Sequence, residues 1–286
     1  MYDLRTYSTA VEYWKDVGPF LLKEETYHSR AIGVARRAVE NAGPAGATER
    51  EAGKLLASGW LQGGRLDFAA WCETPFQLTL TGGSASGLRA LVDLFHQRSW
   101  ALKGCNGPKA TVDQVAAIYG RPFTVVFDSS LHRLDAVEWP KNLAEIEVAR
   151  ATDCDRDLVR RWNHRFAIDC GIAAADSEPP SPPTDADLAR CYLARDSRGA
   201  PVSMVQIRRD TPNSANISHV YTPEAQRGRG YASALVANVS SRILDGGKRF
   251  CTLYTDLANP TSNKIYGALG YRRAGDFRWI KFDEPW

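Results

Sequence analysis

A chain of 286 residues exceeds the about 100 to 200 that one core usually serves, and its 44% apolar content is enough for two packed units. Its net charge of +3 is too small and too evenly spread for a nucleic-acid surface but suits a polyanionic small ligand, and its six cysteines contain no C-x-x-C pair, against a disulfide framework or a structural zinc site. No apolar run reaches the about 18 residues of a membrane span, and the first residues, MYDLRTYSTAVEYWKDV, are charged where a signal peptide is apolar, so the expectation is a cytoplasmic protein without membrane contact.

The first half reads unevenly. Phe20 to Glu40 has helical character, Leu66 to Trp71 and Gln77 to Thr81 read as strands, Leu88 to Leu102 as an amphipathic helix, and Phe123 to Asp128 as a strand. The stretch Leu134 to Glu145, with Pro140, Asn142 and several charges between strand-like segments, reads as an interdomain crossing. The expected domains are therefore 1–140 and 141–286.

The second half is clearer. Ile146 to Ala149 reads as a strand, and Asp153 to Phe166 as a helix with Leu158, Val159 and Trp162 at helical spacing. Cys170 to Asp187, rich in Pro, Ala, Ser and Asp, reads as a long loop. Cys191 to Arg195, Val202 to Arg208 and Ala215 to Tyr221 form an antiparallel meander joined by Asp-Ser-Arg-Gly and Asp-Thr-Pro-Asn-Ser turns. Tyr231 to Asp245 is a helix with Tyr231, Leu235, Val239 and Ile243 along one face, ended by Gly246-Gly247. Phe250 to Asp256 is a strand, Thr261 to Leu269 a short helix ended by Gly270, and Tyr271 to Phe282 closes the sheet. The fold class is α+β, with a mixed, mostly antiparallel sheet flanked by helices.

One stretch carries chemistry: His219-Val-Tyr-Thr-Pro-Glu-Ala-Gln-Arg-Gly-Arg-Gly-Tyr-Ala232, a strand end, a turn of small residues and a helix start. The unpaired amides and positive dipole end of a helix N-terminus, approached over glycines, form a pyrophosphate site. The spelling fits neither G-x-x-x-x-G-K-[ST] nor G-x-G-x-x-G after a parallel first strand. An RG-rich RNA-binding tract would be repeated and disordered, whereas this one stands between a strand and a helix.

The pattern Arg227-x-x-Gly230-x-Ala232, followed by Asn259-Pro-Thr-Ser-Asn-Lys-Ile-Tyr-Gly-Ala-Leu-Gly-Tyr271, resembles the Gcn5-related N-acetyltransferase (GNAT) family over about residues 145 to 286. The first half echoes the same element order without a basic residue in Thr81-Gly-Gly-Ser-Ala-Ser-Gly87, so the chain is similar to tandem GNAT enzymes with a degenerate N-terminal copy. The resemblance implies acetyl-CoA as acyl donor. Val220, Tyr221 and Thr222 would pair with the pantetheine arm, and Arg227, Gly228, Arg229, Gly230, Tyr231 and Ala232 would hold the pyrophosphate. Asn259 would contact the pantetheine side and Tyr266 would address the cofactor sulfur, while Arg229 and Lys264 are either phosphate partners or solvated surface charges.

Acyl transfer to an amine needs a neutral amine, a polarised carbonyl and a proton for the leaving thiolate. No carboxylate lies between Ala215 and Tyr221, which leaves His219 as the titratable candidate base, in competition with water-relayed deprotonation. Glu24, Glu25 and His28 are further candidates from the first half, and Cys251 is expected to be an inert buried thiol rather than a nucleophile. The expected function is N-acetylation of a small primary amine (an amino acid, amino sugar, polyamine or amine-bearing antibiotic) by direct attack in a ternary complex. A protein acetyltransferase and a catalytically silent acyl-CoA sensor are the rival readings.

Overall fold

A computed structural model describes residues 2–41, 55–72 and 77–283. The chain divides into two compact units, one of Met1–Leu131, Thr255–Ala258 and Ala274–Trp286, the other of His132–Tyr254 and Asn259–Arg273. Mixed sheets flanked by helices build both.

In chain order the first unit begins with β1 (Asp3–Thr6), α1 (Ala10–Lys23) and α2 (Ser29–Asn41). The single helix expected over Phe20 to Glu40 is thus two helices, because α1 closes at Lys23 and the turn Glu24–His28 intervenes without any Gly or Pro to announce it. Then follow β2 (Leu55–Leu61), β3 (Arg65–Cys72), β4 (Gln77–Leu80), α3 (Ala85–Gln97), β5 (Gly104–Pro108), α4 (Lys109–Tyr119) and β6 (Phe123–Leu134). The α3 helix starts three residues before the expected Leu88, where the Ser84 hydroxyl accepts from the Gly87 amide at 3.2 Å. It ends at Gln97, short of the expected Leu102.

With β12 (Arg272–Phe282), the strands of this unit run in the order β1-β2-β3-β4-β5-β12-β6, and the registered pairs from β1 to β12 are antiparallel except for the parallel β4–β5 pair. The strand β12, which the sequence reading assigns to the closing of the C-terminal sheet, pairs here with β5 from Phe277↔Pro108 to Lys281↔Gly104. Phe68, Leu78, Leu88, Leu91, Phe95 and Val112 form the core between the sheet, α3 and α4. Arg278 on β12 donates to both carboxylate oxygens of Asp128 (2.7 and 2.6 Å) and to Asp113 at 2.8 Å, which gives a charge taken from water the paired partners it needs.

The second unit contains β7 (Glu147–Arg150), α5 (Arg156–Asp169), α6 (Asp185–Ala189), β8 (Cys191–Arg195), β9 (Pro201–Asp210), β10 (Ser214–Tyr221), α7 (Tyr231–Asp245), β11 (Phe250–Asp256) and α8 (Pro260–Ala268). The expected loop Cys170 to Asp187 gives way to α6 at Asp185, where Thr184 and Asp187 form a reciprocal capping box. The strands run β7-β8-β9-β10 antiparallel, and β10 crosses through α7 to its parallel neighbour β11. This crossover helix buries one face, here Leu235, Val236, Val239 and Ile243, against Val205, Ala215, Ile217 and Leu253.

Candidate functional site

The site in the second unit starts from two strands that run parallel and then stop pairing. Registered pairs of β10 and β11 extend from Ser214↔Phe250 to Ile217↔Leu253. Beyond Ile217, β10 also shifts its register against β9 between Ser218 and Tyr221. The cause is His219, whose φ of +50° places a non-glycine residue in the left-handed region. Such an irregularity leaves His219 and Val220, between the registered residues Ser218 and Tyr221, out of the ladder with β9. Neighbouring side chains hold the distortion: the Ser203 hydroxyl donates to the Tyr221 carbonyl at 3.0 Å and meets the Thr222 hydroxyl at 2.9 Å, and Trp162 of α5 packs on Tyr221 at 5.7 Å.

The turn after β10 continues through Pro223 and a short 3-10 turn, Glu224–Gln226, to Arg227. Arg227 Nε–H donates to the Thr222 carbonyl at 3.0 Å, and its Nη2 pairs with the Asp169 carboxylate at the end of α5. This arginine therefore braces the turn. Gly228 and Gly230 both have φ of +78°, a conformation that glycine reaches without a Cβ penalty. A Cβ on Gly228 would meet nothing within 4 Å, so the space in front of the turn is open.

Gly230 is the N-cap of α7, and no side chain caps the helix. The first intrahelical bond runs from the Ala234 amide to the Gly230 carbonyl, so the amides of Tyr231, Ala232 and Ser233 have no partner inside the helix. The first turn carries no acidic residue, and Arg229 is exposed beside it. This donor set fits an anionic group.

The corresponding helix of the first unit makes an internal comparison. There the Asp67 carboxylate accepts from the Ser84 amide (2.9 Å), the Ser84 hydroxyl (2.7 Å) and the Tyr2 hydroxyl (3.0 Å) at the start of α3. A negative charge supplied by the protein already stands at that helix end. A Cβ on Gly107 of β5 would lie 2.6 Å from the Leu80 carbonyl, so β4 and β5 keep their backbones close where β10 and β11 part.

Tyr266 lies on α8, 8% exposed, edge-on to Tyr271 at 5.9 Å. Burial, with Cys170 nearby, raises its pKa, so the phenol keeps its proton. Asn259 caps α8, its Oδ1 accepting from the Ser262 amide at 3.0 Å, with Pro260 at the first helical position. Lys264 is exposed.

His219 is the candidate whose surroundings the sequence did not disclose. Arg208 Nη2–H donates to its Nε2 at 3.3 Å, which places the ring proton on Nδ1, facing the Ser218 hydroxyl at 3.0 Å. Its ring stacks on Phe166 at 4.8 Å. Burial first, then Arg208 and Arg209, lower its pKa to about 3. Both nitrogens are engaged, so the ring has no lone pair to offer an incoming amine. The structural effect of His219 is the backbone bulge it occupies.

Cys251 is fully buried on β11, and burial pushes its pKa up to about 12, which leaves an inert thiol. Glu24, Glu25 and His28 lie in the turn between α1 and α2 of the first unit. The Tyr221–Trp162 contact and the Arg227–Asp169 brace were missed from sequence, because they join positions far apart in the chain.

Residues 197–280 match the model of the FR47-like protein family. Among solved structures, a Drosophila protein superposes with a TM-score of 0.62 at 13% identity, covering 98% of this chain and 98% of that one. A GCN5-related N-acetyltransferase from Sphaerobacter thermophilus gives 0.58 at 14% identity, covering 99% of this chain and 96% of its own. A tandem GNAT protein from the clavulanic acid biosynthesis pathway gives 0.54 at 12% identity, and both chains are covered completely. No curated protein matches the sequence.

Proposed function

We propose that this chain, which has the GNAT fold in tandem form and an FR47-like segment at residues 197–280, transfers an acetyl group from acetyl-CoA to the primary amine of a small molecule. The observation that carries this reading is the uncapped start of α7 behind two left-handed glycines, next to a strand whose pairing with β11 ends at Ile217. Acetyl-CoA, when bound, supplies an acyl group already activated as a thioester. The amides of Tyr231 and Ala232, with the Gly228–Gly230 turn, would hold its pyrophosphate, and Arg227 would keep that turn in place. Backbone groups of Val220, Tyr221 and Thr222 on the side away from β9 would align the pantetheine arm and direct an N–H toward the thioester carbonyl.

Tyr266 would donate the proton that the leaving sulfur requires, a role consistent with a phenol kept protonated by burial. With the nitrogens of His219 engaged, the amine would lose its proton to water. Cys251 is too deeply buried for a covalent step, which favours direct attack in a ternary complex. Thiol detection of released CoA across amino acids, amino sugars, polyamines and aminoglycosides tests the reading. Turnover on at least one small amine supports it; tight acetyl-CoA binding without turnover on any amine, small or peptidic, would instead establish an acyl-CoA sensor. That second reading is favoured by the engaged imidazole and by the lack of any carboxylate on β10.

A further inference from the structure

The first unit contains two adjoining recesses that share Tyr27, His28 and Thr81. The outer one, about 260 Å³, is walled by Phe20 and Tyr27 with Lys23 and Glu24 at its side. The inner one, about 10 Å³, has room for about one water-sized group and reaches Trp71, Asn106 and Phe277.

Two side chains of its lining keep a hydrogen-bonding atom without a protein partner. Trp71 is 4% exposed, and its indole N–H has no partner. A buried donor left unmade costs about 1 to 3 kcal/mol. His28 is 6% exposed and stacked on Phe20 at 5.1 Å. Its Nδ1 lies 3.2 Å from the Leu21 carbonyl, which only accepts, so the ring proton sits on Nδ1 and Nε2 keeps its lone pair. Burial lowers the pKa of this imidazole and keeps it neutral.

We propose that this recess is a second ligand site that takes an uncharged small molecule with an aromatic or apolar body and a carboxamide head, whose carbonyl accepts from the Trp71 indole and whose N–H donates to His28 Nε2. The aromatic walls of Phe20, Tyr27 and Phe277 bury the body, and a head offering both an acceptor and a donor meets the unpartnered Trp71 indole N–H and the His28 Nε2 lone pair. Neither a carboxylate, which cannot donate, nor a tertiary amide meets both demands. The inference is independent of the acyl-transfer reading, which concerns the second unit.

Benzamide is the probe, and the readout is the indole N–H region of the nitrogen-15 NMR spectrum of the full chain. The Trp71 signal is identified as the one missing from Trp71→Phe. Benzamide should shift that signal with a dissociation constant on the order of 1 mM, while benzoate and N,N-dimethylbenzamide should bind at least about tenfold more weakly. Trp71→Phe and His28→Phe should each abolish saturable benzamide binding while leaving acetyl-CoA affinity unchanged. Equal binding of the three probes, or a benzamide titration that leaves every indole signal in place, would overturn the proposal. Should Trp71→Phe not fold, the three-probe comparison on the unaltered chain decides alone.

Discussion

Burial acts in opposite directions on the two side chains that the motifs single out. It keeps the Tyr266 phenol protonated, as a proton donor must be, and it strips His219 of basicity down to about pH 3. Tyr266→Phe retains the ring against Tyr271 and removes only the hydroxyl. We expect kcat to fall by at least about a hundredfold, the low end for a lost general acid, with the KM for acetyl-CoA unchanged. Steady-state kinetics on the best amine measures it, and an unaltered kcat would return Tyr266 to the core. For His219 the folded pKa lies below the ordinary value, so the ring is neutral throughout the working range and gains a proton only as pH falls toward 3. The acid limb of the rate profile should then follow the acceptor amine. His219→Asn, which tolerates a positive φ, should leave the midpoint of that limb in place, and a limb displaced by this substitution would identify His219 as the base after all.

At the scale of elements, legibility followed locality. Tyr231–Asp245 and Phe250–Asp256 have the bounds expected from sequence, because the apolar period and the Gly246-Gly247 stop are local signals. The strand Gly104–Pro108 escaped, since its residues Gly-Cys-Asn-Gly-Pro carry little strand propensity. Its glycines answer tertiary demands instead: a Cβ at Gly104 would sit 2.5 Å from the Ile280 carbonyl, and one at Gly107 would strike that of Leu80. The break between α1 and α2 escaped for the opposite reason, because helical periodicity runs through it. At α8, Asn259 has a capping role that the motif alone did not reveal. Asn259→Ala should lower stability by about 0.5 to 2 kcal/mol, read by denaturant unfolding, whereas Asn259→Ser should restore it. If Asn259 also contacts the pantetheine arm, the serine variant will keep an elevated KM for acetyl-CoA despite regaining stability.

For the molecule as a whole, the chain combines two mixed-sheet units whose equivalent helices begin differently. The one in the first unit meets its own aspartate, and the one in the second opens on space behind two glycines. That contrast follows from the sequence once Asp67 is known to reach Ser84, a pairing across 17 positions that no local pattern encodes. Among the described residues, no helix is long and apolar enough to cross a membrane, and no cluster of three or more His, Cys, Asp and Glu side chains forms a metal site. The claim on which the account rests is that coenzyme A sits at the start of α7. Calorimetric titration of acetyl-CoA into the full chain and into Gly230→Asp and Gly230→Asn tests it directly, because both substitutions strain the same φ and only one brings a charge. The account predicts saturable one-site binding to the unaltered chain, weakened binding to the asparagine variant and none to the aspartate variant. Equal affinity across the three, or no binding to the unaltered chain, would contradict it.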